Sequence, residues 1–551
     1  MDQLEALWMA KMEEPELTTI ILVFGILGVI AVIIKLMTMG NKKPVLEESG
    51  QLGTAKFIPN TSEKSDGGYR IIIGFEHDGL ADRGGVSISE KKVSDQEIKF
   101  YRGGMLAARY PALQASIDEE VVSNSEDDAT QSGCNPVFYS GDAHLLTVGH
   151  TRSGKGVGAI IPNLLTYPGS MIVIDPKGEN AIATAHYRRS VGHRVIVLDP
   201  WKVTDIPSAS YNPLSIAGDM EERLIEDASL IADALVVPVE GQNQFFWEEE
   251  ARSLIATIVL YLSHEKNGSN NLAKLREIVA QGGKGLEDFL VGISMSPLHN
   301  GALARGASQF LQKAPNEKSG VLSTVRQQTA FLDSPSIQQV LSTSSFSFSS
   351  LRDVKTTVYI VIPIWRLATY GRWLRLIVTM ALTELSRAKG KPTVRTLMIL
   401  DEFPALGMLK SFDTAMGIMA GLGVQLWPIV QDFTQLQKMY GDSWQTFVAN
   451  ADVLQSFGTR DILTASYISE RLGTSTVPVY EKSSSVGHQH DVNTVSGRYT
   501  ARPLMYPDEI IRLEKSAGIA FIENNFPLIF RKIRYYEDEY FSSIISTVLR
   551  G

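Results

Sequence analysis

Three short stretches hold the residues best suited to chemistry. GHTRSGKG sets Gly149, Gly154 and Lys155 at the G-x-x-x-x-G-K spacing of a phosphate-binding loop, between the apolar run HLLTV and the helical pattern GAIIPNLL. Glycines there let backbone N–H groups turn toward phosphate oxygens; the following helix presents its positive end, and Lys155 can reach the β- and γ-phosphates. Thr151, Ser153, Gly156 and Val157 complete the expected nucleotide contacts. The residue after the lysine normally carries a hydroxyl that holds magnesium, but here it is Gly156, so a water or another group must supply that contact. The second stretch, TLMILDEF, has the Walker B form: an apolar strand brings Asp401 to a magnesium shell and Glu402 to the attacking water. Two carboxylates at the tip of such a strand are costly to pack unless a cation or hydrogen bonds compensate them. The third, WPIVQD, ends in Gln431, where a γ-phosphate sensor would sit. ATP and Mg2+ are therefore the expected substrate and metal.

The elements that must carry these residues are legible as alternating runs. HLLTVG, GAIIPNLL, SMIVID and HRVIVLD alternate strand and helix, and TTVYIVIPI, RTLMILDEF, VQLWPIVQD and ADVLQSFGT resume the pattern after residue 346. Near-continuous apolar strands of this kind predict an α/β fold with a parallel, doubly wound sheet, whose ligands lie beyond the carboxyl ends of the strands. Residues 141–214 and 346–551 form the two parts of that nucleotide-binding domain. Between them, 215–345 reads as an all-alpha insertion, with helical runs such as FFWEEEARSLIATIVLYL and GVLSTVRQQTAFL. The insertion carries 16 acidic against 10 basic side chains, which fits either a solvated surface or a docking face for basic partners. Residues 41–140 connect to the domain and begin it, with YRIIIGF as a strand-like piece.

The N-terminus makes a statement about place. Leu17 to Ile34 carry no charge and the apolar run extends to about residue 40, long enough for one transmembrane helix. Lys35, Lys42 and Lys43 follow it while only Lys11 precedes it, so the positive-inside rule puts residues 1–16 outside and the bulk of the chain in the cytoplasm. A single cysteine, Cys134, excludes an intramolecular disulfide. The net charge of -9 excludes bulk attraction to nucleic acid, so contact with DNA requires a local basic lining.

TRSGKGVGAIIPNLLTYPGSMIVIDPKGE, LDEFPALGML, TASYISERLG and RPLMYPDEIIRLEKSAGIAFIENNFPLIFRKIRYYED together resemble the TraG/TraD-type coupling proteins of type IV secretion and conjugation. The likeness runs from about residue 140 to 540, with a weaker LGTAKF segment at 52–57. It implies a RecA-like P-loop motor assembled as a homo-hexamer in the bacterial inner membrane, contacting the secretion channel and its inner-membrane components. Relaxase-bound DNA or effector proteins would be its cargo, and the DNA would be single-stranded and bound without regard to sequence. The family's loop often reads GKGVG, which makes Gly156 a variant and not damage. Carried over, Lys155 holds phosphate, Asp401 holds magnesium, Glu402 is the catalytic carboxylate and Gln431 the sensor. Arg375 matches a recurrent arginine that could act as a finger into a neighbouring site, with Arg372 and Arg460 behind it. One departure stands out: family members commonly have two membrane helices around a small outer domain, whereas one span is visible here. An ATP-gated receptor with little motor activity and an FtsK-class DNA pump are the rival readings.

Overall fold

The computed structural model describes residues 70–76, 136–217, 221–238, 244–264, 270–485, 492–542 and 544. The expected membrane span at 17–40, the outer tail, LGTAKF and Cys134 lie outside them; no described helix is long and apolar enough to cross a membrane. The chain divides into two compact units.

The larger unit, residues 56–469 with 506–551, is organised by an eleven-stranded sheet. Its strands are β1 (Ile71–Glu76), β2 (Pro136–Tyr139), β3 (His144–Val148), β4 (Met171–Asp175), β5 (Arg194–Leu198), β6 (Thr356–Val361), β7 (Thr396–Leu400), β8 (Val424–Val430) and β9 (Ala451–Ser456), with β12 (Ala517–Ile522) and β13 (Leu528–Arg531). The smaller unit contains β10 (Thr474–Ser485) and β11 (Val492–Pro503), an antiparallel ribbon in register from Thr474 opposite Pro503 to Ser485 opposite Val492.

Across the large sheet the order is β2-β1-β13-β12-β9-β3-β8-β7-β4-β6-β5. From β9 to β5 neighbouring strands run parallel. The residues of β4, β6, β7 and β8 are all buried, as expected for strands covered on both faces. The other four strands extend this sheet antiparallel. Sequence alternation alone points only to the parallel part. The segment YRIIIGF is more than a connector: Ile72 exchanges two hydrogen bonds of 2.9 Å with the buried Asn163 side chain, tying β1 to the helix behind the phosphate loop. That helix, α1 (Ile161–Thr166), is preceded by a single wide turn at Gly156–Ile160.

Helix α2 (Glu179–Ser190) follows β4. Between β5 and β6 the described residues form only helices and turns, including α3 (Leu224–Leu235), α4 (Gln244–His264) and α5 (Pro315–Thr329). The insertion's acidic run does not offer free charge. Glu248 is buried, Glu249 is bonded to Arg252, and Glu250 lies 2.8 Å from Lys313. These three side chains are thus engaged within the helical insertion. Helix α6 (Leu367–Arg387) returns the chain to the sheet and buries Trp373, Leu374, Ile377 and Val378.

Candidate nucleotide site

The phosphate-type loop leaves β3, the central strand of the eleven-stranded sheet, where connections on its two sides diverge. Gly149 N–H donates to Val430 O at 3.0 Å and His150 N–H to Gly458 O at 3.4 Å, so the loop is pinned between the ends of β8 and β9. Its glycines are not equivalent. A Cβ on Gly149 would lie 2.7 Å from Ser153 Oγ and 2.8 Å from Phe457 Cβ. Gly154 has φ +93 and faces open space. Around Gly156 nothing stands within 4 Å of an added Cβ, whereas one on Gly158 would meet Ile533 O and a Phe457 ring carbon at 3.0 Å. The missing hydroxyl at 156 is thus not excluded by space, and of the three glycines of GKGVG only the last, Gly158, answers to close packing.

The other groups converge from the next two strands of the sheet. Gln431, at the end of β8, accepts from Thr151 Oγ1 at 3.4 Å and donates toward Glu402, with Nε2 3.4 Å and 3.5 Å from its two carboxylate oxygens. Three elements distant in sequence are so joined by one chain of polar contacts. Glu402 holds φ +56, an uncommon conformation for a non-glycine residue and one that is found at functional turns. Lys155 donates to Gly149 O and, at 3.3 Å, to His150 O. Burial lowers its pKa, opposed by the Asp401 and Glu402 carboxylates. Asp401 is pushed up to about 6 by burial first, then by Glu402, while Lys155 pulls the other way.

These residues fit an anion and a divalent cation. Ser153 Oγ is buried with no hydrogen-bond partner, the Gly154 backbone opens onto free space, and Lys155 has carbonyl partners that a phosphate would outcompete as a charged acceptor. A cation beside Asp401 would favour its charged form against the burial and the Glu402 repulsion that raise its pKa.

Two neighbours were hidden from the sequence reading. Asp175, 1% exposed at the end of β4, continues the register that pairs Ile174 with Leu400 and so stands beside Asp401. It accepts from Ala181 N–H at 2.9 Å, and burial raises its pKa to about 6. The signal was present, since SMIVID also ends an apolar strand in a carboxylate. Lys532 donates to Phe457 O and Lys515 O at 2.8 and 2.9 Å, with its pKa lowered to about 8 by burial and by Lys155. Nothing in RKIRYY distinguishes this lysine from its basic neighbours.

Arg375 does not join the cluster. Only 5% exposed, its guanidinium donates to Met408 O, to Leu406 O at 3.4 Å and to Asp233 O at 3.3 Å. It clamps the segment after Glu402 to α3, and that enclosure is the physical reason to read it as a clamp and not as a finger. Arg372 donates to Gln328 at 2.8 Å, and Arg460 is exposed just beyond β9.

Comparison with known proteins gives relatives and a fold. The conjugal transfer protein TraG of Agrobacterium fabrum (strain C58) is 26% identical over 396 residues, 70% of this chain and 59% of TraG. Protein VirD4 of the same organism is 29% identical over 410 residues, 72% of this chain and 59% of VirD4. The chain thus spans about three fifths of the length of these relatives. Among solved structures, the bacterial conjugative coupling protein TrwBdeltaN70 aligns with TM-score 0.56 at 19% identity, over 75% of this chain and 90% of that one. The plasmid coupling protein TrwB in complex with ADP and Mg2+ aligns with TM-score 0.55 at 18% identity and the same coverage. Those likenesses show the fold, a RecA-like P-loop α/β fold. A family model described as Type IV secretory system Conjugative DNA transfer matches residues 102–548, most of the sequence, and the chain belongs to that family.

Proposed function

We propose that this protein is a membrane-anchored coupling ATPase, which brings relaxase-bound DNA or effector proteins to a type IV secretion system and energises their transfer. The observation that carries the reading is the contact chain Thr151–Gln431–Glu402 beside Lys155 and Asp401. It joins a phosphate cradle, a sensor and a catalytic carboxylate in one cluster. The backbone from Gly149 to Val157 and Lys155 bind the phosphates; Asp401 holds Mg2+, which when bound neutralises developing charge on the phosphate oxygens. Glu402 orients and deprotonates the attacking water, and Gln431 relays the state of the site from Glu402 to the loop. Arg375 positions the turn that holds Glu402. Positioning and charge neutralisation supply most of the acceleration.

The rest follows the family. The apolar run at 17–40 is a single inner-membrane span with the motor in the cytoplasm, residues 215–345 are the all-alpha domain, and six copies form the ring. The test is steady-state ATP hydrolysis by detergent-solubilised full-length protein, with and without single-stranded DNA. Turnover abolished in Glu402→Gln and raised by DNA is the expected result. Nucleotide binding with no turnover in the wild type would reject the motor and leave an ATP-gated receptor.

A further inference from the structure

Beyond the nucleotide cluster, the carboxyl rim of the sheet carries a second group of side chains at β6 and β5. After β6 the chain makes a tight turn at Ile364–Arg366. Trp365 is 79% exposed and Ile364 49%. The guanidinium carbon of Arg366 lies 5.5 Å over the ring of Trp201 and 5.7 Å over that of Tyr370. Trp201 comes from the loop after β5 and packs edge-on against Tyr370 and Trp373, at 5.2 and 5.6 Å between centroids. Lys202, next in the chain, is exposed. Among the described residues neither Arg366 nor Lys202 has a carboxylate within ion-pair distance.

Packing explains only part of this group. Trp201 and Tyr370 hold Arg366 in place, but folding gains nothing from an indole left in water one residue away. An apolar protein surface would cover Trp365 and Ile364 yet leave two cations unpaired and desolvated. A single strand of nucleic acid answers both features, because every base offers a face for stacking and every linkage a phosphate. Guanidinium stacked on rings keeps its outward N–H groups in a fixed fork, suited to phosphate oxygens.

We propose that single-stranded DNA binds at this end of the rim, with a base stacked on Trp365 and the adjoining phosphates held by Arg366 and Lys202. The assignment rests on the DNA-handling reading above and places the cargo at the ends of β6 and β5, on the same rim as the nucleotide. Binding of this kind ignores sequence and weakens with salt.

The experiment is fluorescence anisotropy of a labelled oligothymidylate of about 20 nucleotides with full-length solubilised protein, over a salt series. Trp365→Ala is expected to weaken binding about tenfold and Trp365→Phe to restore most of it. The double variant Arg366→Ala, Lys202→Ala should reduce the slope of log affinity against log salt by about 1.4. Variants that bind like the wild type, with unchanged slope, overturn the proposal while the DNA-handling reading stands. A wild type that does not bind the oligonucleotide rejects that reading and the proposal with it. If Trp365→Ala leaves affinity intact but changes the oligomer measured by light scattering, the surface belongs to a second copy of the chain and the proposal fails.

Discussion

The two ends of the carboxyl rim break the rules of burial in opposite directions. At β3, β8 and β7 charged groups are drawn inward: Lys155 and Asp401 both have pKa values displaced by burial, and Gln431 bridges Glu402 to the loop. At β6 and β5 an indole is pushed outward, and a guanidinium rests on rings without a counter-charge among the described residues. Folding alone favours neither arrangement, since buried charge and exposed apolar surface both carry a cost. The difference matches what each end is proposed to handle: a small, highly charged ligand needs a desolvated pocket, and a long flexible one needs an accessible platform.

The largest test of this contrast is Glu402→Gln, expected to lower kcat by about 10³ while nucleotide affinity is retained. Equal loss of binding would mean that Glu402 holds the site together and does not act on water. Next comes Asp175. Its folded pKa of about 6 is above the usual carboxylate range, so the folded chain keeps a proton that the unfolded chain releases. The stability this contributes is full below about pH 4 and disappears as pH rises through 6. Asp175→Asn should therefore exceed the wild type in thermal stability at pH 8, by up to about 3 kcal/mol, and match it at pH 4. Melting curves at the two pH values decide it; no gain at pH 8 would show that the buried charge is compensated.

Smaller effects separate Gly156 from Gly158 in GKGVG. Gly158→Ser should destabilise by about 1–3 kcal/mol, because its Cβ meets Ile533 O and Phe457. Gly156→Ser, with free space around it, should stay within about 0.5 kcal/mol of the wild type, read by chemical denaturation. The smallest expected change is in the melting temperature of Trp365→Ala, within about 2 °C, since the indole has little to lose on the folded side. A large drop would move Trp365 from platform to core.

Motifs whose parts are neighbours in sequence were readable: the loop at 149–157 and the carboxylates at 401–402 sit where spacing put them, on the ends of the expected strands. Sites assembled from distant segments were not. Asp175 joins Asp401 through strand register, Lys532 just after β13 donates to Phe457 just after β9, and Trp201 meets Arg366 across two loops. None of these pairings leaves a local periodicity. Of the antiparallel strands only β1 was read, as a strand-like piece: β2 and β13 have four residues each, too few for alternation to declare a face, and β12 is buried almost throughout and shows none. Arg375 shows the reverse error: residue type and resemblance pointed outward, and only its three carbonyl partners reveal an inward role.

The approach of Ile533 to Gly158 also bears on how the protein is made. The phosphate loop and the backbone that packs on it are separated by roughly 380 residues, and at ribosomal speeds of about 5–20 residues per second the second arrives roughly 20–75 s after the first. Strand β1 waits longer still for its partner β13, since Phe75 pairs with Arg531. A nascent chain therefore carries Lys155 long before the wall behind it exists, and the loop meets its full packing only after Ile533 has been made.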